Sequence, residues 1–183
     1  MQGTLPGTTI EASLRRDAAE DVLAHIFAGG GVVLSQIAVM TALEPHVIQN
    51  WVKRGYLSPP QHRQYTKRQF VRVAIINLLR QSLQLDRIVE LLSYVNGKLA
   101  DESDDRVDDV VLYNMLLNVL LSVGEGYPSE EAVHQAVTEE LEGFEERFPG
   151  DRRRVHRALC VMVWAHLSAL AKQKADMLLR NME

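Results

Sequence analysis

Pro45, Gly55, Pro59-Pro60 and Thr66 punctuate one stretch of the chain so closely that it can fold in few ways. Pro45 suits the first turn of a helix, where its missing N–H has no partner to lose. Gly55 stands where a helix usually stops in the left-handed conformation. Pro59-Pro60 cannot continue a helix and stiffens the entry to a loop. Thr66-Lys67-Arg68-Gln69 has capping-box spacing, so a new helix starts at Thr66. The segment reads as a helix over 45–54, a turn, the short loop Gln61-His62-Arg63-Gln64-Tyr65, and a helix continuing at helical period through Phe70, Val73, Ala74, Asn77 and Leu78.

Helical period extends to both sides. A first helix over 10–27 aligns Ile10, Leu14, Ala18, Val22 and Ile26, and Ala28-Gly29-Gly30-Gly31 ends it. A short helix follows over 34–40, then a turn at Thr41-Ala42-Leu43. Another covers 85–92 and is closed by Asn96-Gly97. Asp101-Glu102-Ser103-Asp104-Asp105 reads as an acidic linker, with the acids up to Asp109 favouring a helix start. The segment 107–123 is apolar on most of its circumference and should be buried on several sides. The segment 129–148 is amphipathic through Val133, Val137, Leu141, Phe144 and Phe148, and 152–182 is a long final helix. No segment alternates as a strand, although the basic loop can make a small hairpin. The expected fold class is all-α, divided into an N-terminal helix and Gly linker (1–31), a central unit (32–98) and an acidic helical region (99–183).

Charge is unevenly spread. From Pro45 to Leu85 the chain carries Lys53, Arg54, Arg63, Lys67, Arg68, Arg72 and Arg80 and no acidic residue, although the formal net charge is -4. From Asp86 to Gly150 sixteen acidic residues face four basic ones, a net of -12. A solvated helix face normally mixes both signs. A one-sign positive patch on a helical unit is the electrostatic footprint of a nucleic-acid reader. Ile48, Trp51 and Val52 read as the inward face of the 45–54 helix, so Trp51 is core rather than a stacking platform. Arg72 and Arg80, deeper along a supporting helix, are expected to do no more than solubilise it.

Leu34-Ser35-Gln36-Ile37-Ala38, Ile48-Gln49-Asn50-Trp51, Lys53-Arg54-Gly55-Tyr56-Leu57, Arg63-Gln64-Tyr65-Thr66 and Leu85-Asp86-Arg87-Ile88 follow in an order that resembles a MerR-type winged helix–turn–helix domain with a short wing. That resemblance covers about 32–97. Asn50-Trp51-Val52-Lys53-Arg54-Gly55-Tyr56 and Ser93-Tyr94-Val95-Asn96-Gly97 also look like the uncharacterised bacterial family called domain of unknown function 1836, which brings no established activity. The MerR resemblance implies a recognition helix over 45–54, with Gln49 and Asn50 facing the bases. It implies a wing over 61–65 carrying Arg63, with Tyr65 packing it, and phosphate contacts from Lys53, Arg54, Lys67 and Arg68. Gln and Asn can each pair bidentately with adenine. Phosphate contacts position a protein on the duplex without specifying sequence.

The expected function is therefore a sequence-specific, DNA-binding transcriptional regulator. Its partner is double-stranded DNA, and a module this small calls for a homodimer. The 107–123 helix and the C-terminal helix are candidate dimer or effector-binding elements; the effector is unknown. The alternative is a protein-interaction module on a helix–turn–helix scaffold. Gln49 and Asn50 stand where MerR proteins usually have arginine and tyrosine, the wing is short, and an acidic body repels DNA.

Other classes find less support. The most apolar run, 158–171, is shorter than the roughly 20 residues a membrane span needs, and no signal peptide is evident. The single cysteine, Cys160, cannot form an internal disulfide, which fits a reducing cytoplasm. His156 and Cys160 stand four apart with His166 beyond, and His134 could contribute, but zinc normally needs three or four ligands. A buried structural thiol is the expected role, with no metal and no cofactor. No nucleophile motif, phosphate-cradling loop or paired catalytic carboxylates point to an enzyme.

Overall fold

In a computed structural model that describes residues 2–101, 105–124 and 126–182, the helix opened by the capping box runs through the middle of the molecule. This helix, α4 (Lys67–Leu79), begins as its sequence demands. Gln69 N donates to Thr66 Oγ1 at 3.2 Å, and Thr66 N donates back to Gln69 Oε1 at 2.8 Å. Phe70, Val71, Val73, Ala74, Ile75, Ile76, Leu78 and Leu79 are all buried. A helix apolar all round must be enclosed, and α4 is enclosed by α2 (Leu34–Thr41), α5 (Leu85–Asn96), α6 (Asp109–Val123) and α8 (Asp151–Arg180).

The fold is mostly helical. Beside those five helices stand α1 (Ala18–Ile26), α3 (Pro45–Lys53) and α7 (Glu130–Glu140), with two small antiparallel sheets, among the described residues. α6 is the second hub: Leu112, Tyr113, Leu116 and Leu117 are buried, and α1, α4, α7 and α8 pack around it. One apolar cluster runs from Leu5 to Leu167.

Strand pairing corrects only the N-terminal part of the helical expectation. The helix expected over 10–27 is only α1, preceded by a hairpin of β1 (Gln2–Thr4) and β2 (Glu11–Ser13). Bonds from distant residues override the local helical period there. Gly7 takes φ 75° and lies so close to α4 that a Cβ would collide with the Ala74 carbonyl oxygen. Asn77 Nδ2 donates to Gly7 O and to Thr41 O, both at 2.9 Å, and Tyr113 OH donates to Pro6 O at 2.6 Å. The second sheet joins β3 (Val32–Val33) to β4 (Gln64–Tyr65) in the basic loop. That loop does form a small hairpin, Gln61 pairing with Gln64, with His62 and Arg63 at φ 50° and 63°. Positive φ at both central residues is what a type I′ turn requires. α7 stops at Glu140 rather than running on to 148.

The acidic segment after α5 is more than a linker. Asp105 and Asp109 are buried, and both face α4. Arg72, which was expected to solubilise the helix, is itself buried. Its Nε donates to Asp109 Oδ2 at 2.7 Å, its Nη2 to Asp105 Oδ2 at 3.2 Å, and its Nη1 to Leu99 O. Arg68 adds a second guanidinium against Asp105. Asp108 keeps the expected helix-start role, accepting from Val110 N at 2.7 Å. Glu102, Ser103 and Asp104 of the acidic break lie outside the described residues.

Burial pushes the Asp105 carboxyl up to about 6 against the opposing pull of the two arginines, and Asp109 is pushed up for the same reason. Arg72→Ala leaves buried carboxylates short of their partner, a loss of about 3–5 kcal/mol. Removing the cation raises both carboxyl pKa values further above the unfolded value of about 4. The folded variant then binds protons more tightly than its unfolded chain, so stability returns as pH falls from about 8 to about 5. Urea denaturation across that range checks this; a loss independent of pH contradicts it.

Candidate nucleic-acid interface

α3 is built as a two-faced helix. Pro45 opens it, Arg54 caps it, and Gly55 at φ 75° lets Tyr56 N donate back to Trp51 O at 2.9 Å. Ile48 and Trp51 are buried, as the sequence suggests, while His46, Gln49, Asn50 and Lys53 are exposed. α3 packs on α2 across the turn Ala42-Leu43-Glu44, with Ala42 at φ 52° and Leu43 buried. Tyr56 is half-buried, and the Arg54 guanidinium lies 4.7 Å from its ring centre.

The basic loop is held at its base and free at its tip. Gln69 Nε2 donates to Ser58 O, Ser58 Oγ and Pro59 O at 3.1, 2.9 and 3.1 Å. Tyr65 is buried at the base of the hairpin, and that burial pushes its phenol up. Gln61, His62, Arg63 and Gln64 are exposed.

These contacts sort the basic residues. Lys53, Arg63 and Lys67 make no ion pair among the described residues. Arg54 stands 3.6 Å from the exposed Asp86. Arg68 turns inward to Asp105, with Asp108 and Asp109 each 3.7 Å from its Nε. Of the residues singled out by sequence, Gln49, Asn50, Lys53, Arg54 and Arg63 are exposed and Lys67 is half-exposed. Tyr65 is interior, and the charge of Arg68 is already balanced by carboxylates. His46 and His62 share the exposed surfaces of α3 and the hairpin tip; a count of lysines and arginines passes over them.

The fold and site thus define a mostly helical protein with exposed basic residues on a short helix and on a hairpin that follows it in the chain. Residues 32–116 match the family model described as Domain of unknown function (DUF1836). The match starts at β3 and runs past Gly97 into α6, so it takes in Asp105 and Asp109 together with the arginines they neutralise. No curated protein and no solved structure matches the chain. No helix among the described residues is long and apolar enough to cross a membrane.

The sorting separates two arginines in one short stretch. Arg68→Ala removes a charged hydrogen bond to a buried carboxylate and should lower unfolding free energy by about 1–3 kcal/mol. Arg63→Ala should stay within about 0.5 kcal/mol of wild type. Equal stability of the two variants in chemical denaturation would overturn the assignment.

Proposed function

We propose that the chain is a sequence-specific, DNA-binding transcriptional regulator with a MerR-like winged helix–turn–helix, reading duplex DNA with α3 and touching phosphate with the 61–64 hairpin. The observation that carries this reading is the solvent face of α3. Gln49 and Asn50, both able to read a base edge, stand there beside Lys53, with Arg63 and Lys67 following on the hairpin and at the start of α4, and none of these three has an ion-pair partner among the described residues. The order β3, α2, turn, α3, hairpin, α4 supports the same reading.

A homodimer fits this proposal, and α8 is the better placed of the two candidate elements, since α6 is largely consumed in the core. Residues 172–180 of α8 are exposed throughout. Val161, Trp164, Ser168, Ala171, Ala175 and Leu178 recur along it at alternating spacings of three and four, the seam of a two-stranded coiled coil. Val161, Trp164 and Leu178 lie exposed on that seam.

A second reading, a protein-interaction module, draws on the same sorting: Arg68 and Arg72 are neutralised internally and Arg54 faces Asp86, so the free positive surface is smaller than the sequence implies. A partner captured regardless of nuclease treatment and of Arg63→Ala would favour it.

Duplex binding should weaken with salt, each phosphate contact contributing about -0.9 to the slope of log K against log salt. The Arg63→Ala/Lys67→Ala variant should flatten that slope by about 2. Absence of binding by the folded protein at low salt refutes the proposal. Sedimentation equilibrium tests the dimer: Leu178→Glu should yield a folded monomer with weaker DNA binding, and a variant as dimeric as wild type rules out this seam.

A further inference from the structure

Two helix faces bring together residues that the sequence leaves far apart. On α7, Glu130, His134 and Thr138 follow at four-residue intervals; on α8, His156 and Cys160 do the same, and α7 packs on α8. Cys160 Sγ lies 3.7 Å from His134 Nδ1 and 3.8 Å from His156 Nδ1. The imidazoles are stacked, with centroids 5.2 Å apart and planes inclined by 19°. Their ligand atoms and the sulfur all fall within 4.8 Å of one another.

The surrounding hydrogen bonds fix where the ring protons sit. Thr138 Oγ1 donates its proton to His134 O at 2.8 Å, so toward His156 Nε2, 3.3 Å away, it can only accept. That keeps the His156 proton on Nε2 and leaves the Nδ1 lone pair aimed at sulfur. Glu130 Oε1, 3.7 Å from His134 Nε2, favours the same tautomer on the other ring. Two imidazole lone pairs then converge on one thiol, whose single proton can serve only one of them.

We propose that His134 Nδ1, His156 Nδ1 and Cys160 Sγ form a binding site for a divalent transition cation of the zinc type. A tetrahedral Zn2+ with Zn–S of about 2.3 Å and Zn–N of about 2.0 Å sets N···S at about 3.6 Å. The observed 3.7 and 3.8 Å need little adjustment. Thr138 and Glu130 occupy the outer-shell positions that orient metal-binding histidines. Three protein ligands leave a fourth position, which opens on a cleft lined by Ser82, Leu83, Val161, Trp164 and Ser168. On binding, the S–H bond breaks, the thiolate pair goes to the metal, and one proton is released to solvent.

The test uses the full chain, reduced and stripped with a chelator, then titrated with Zn2+ and Co2+. Wild type should bind one ion, release one proton, and show with Co2+ a thiolate-to-metal charge-transfer band and the intense visible bands of tetrahedral cobalt. Cys160→Ser should lose the charge-transfer band, and Thr138→Val should weaken binding by about 10–100-fold. His25→Gln, remote from the cluster, should match wild type. The His134 side chain is 50% exposed, so His134→Gln keeps the fold, checked by circular dichroism, and should lose most of its affinity. No thiolate band in folded wild type, or undiminished binding in His134→Gln, overturns the proposal.

Discussion

The buried contact of Arg72 with Asp109 and Asp105 is the constraint on which the arrangement depends. It fixes α6 against α4, and α6 in turn receives α1, α7 and α8. A buried ion pair contributes little net stability beside an apolar substitute, but losing one partner is costly because a charge is stranded. Its value here is positional. Three polar side chains of α4 each tie down a segment remote in sequence: Gln69 the loop at Ser58–Pro59, Asn77 the turn at Gly7 and the end of α2, and Arg72 the chain from Leu99 to Asp109. Apolar residues at those positions would be buried equally well but would not distinguish one loop from another.

The same contact accounts for how a basic unit and an acidic one share a protein. Part of the acidic charge is consumed internally. Arg106 pairs with the buried Asp151 at 2.7 Å, Arg72 with Asp109 and Asp105, and Arg68 with Asp105. Among the described residues no carboxylate pairs with Lys53, Arg63 or Lys67. Neutralisation is thus concentrated on α4, and α3 with its hairpin keeps the charge a polyanion would need.

What the sequence disclosed was local chemistry. Pro45, Gly55 and the Thr66–Gln69 capping box act within one or two turns, and the helices they bound lie where those residues imply. Of the inward face expected for α3, Ile48 and Trp51 are buried and Val52 is half-buried. What the sequence hid was non-local. The turn at Pro6-Gly7 between β1 and β2 is held by Ala74, Asn77 and Tyr113, which stand far along the chain. Arg72 looked like a solubilising charge because its partners stand 33 and 37 positions away. His134 is separated from Cys160 by 26 positions, so only the packing of α7 on α8 joins them.

The proposed docking of duplex DNA through α3 and the hairpin can be read by hydrogen–deuterium exchange of the chain with and without DNA at low salt. Docking there should slow exchange over 45–54 and 61–67 on adding DNA and leave 130–142 unchanged. Protection confined to other segments, or none at all while DNA is bound, would contradict it.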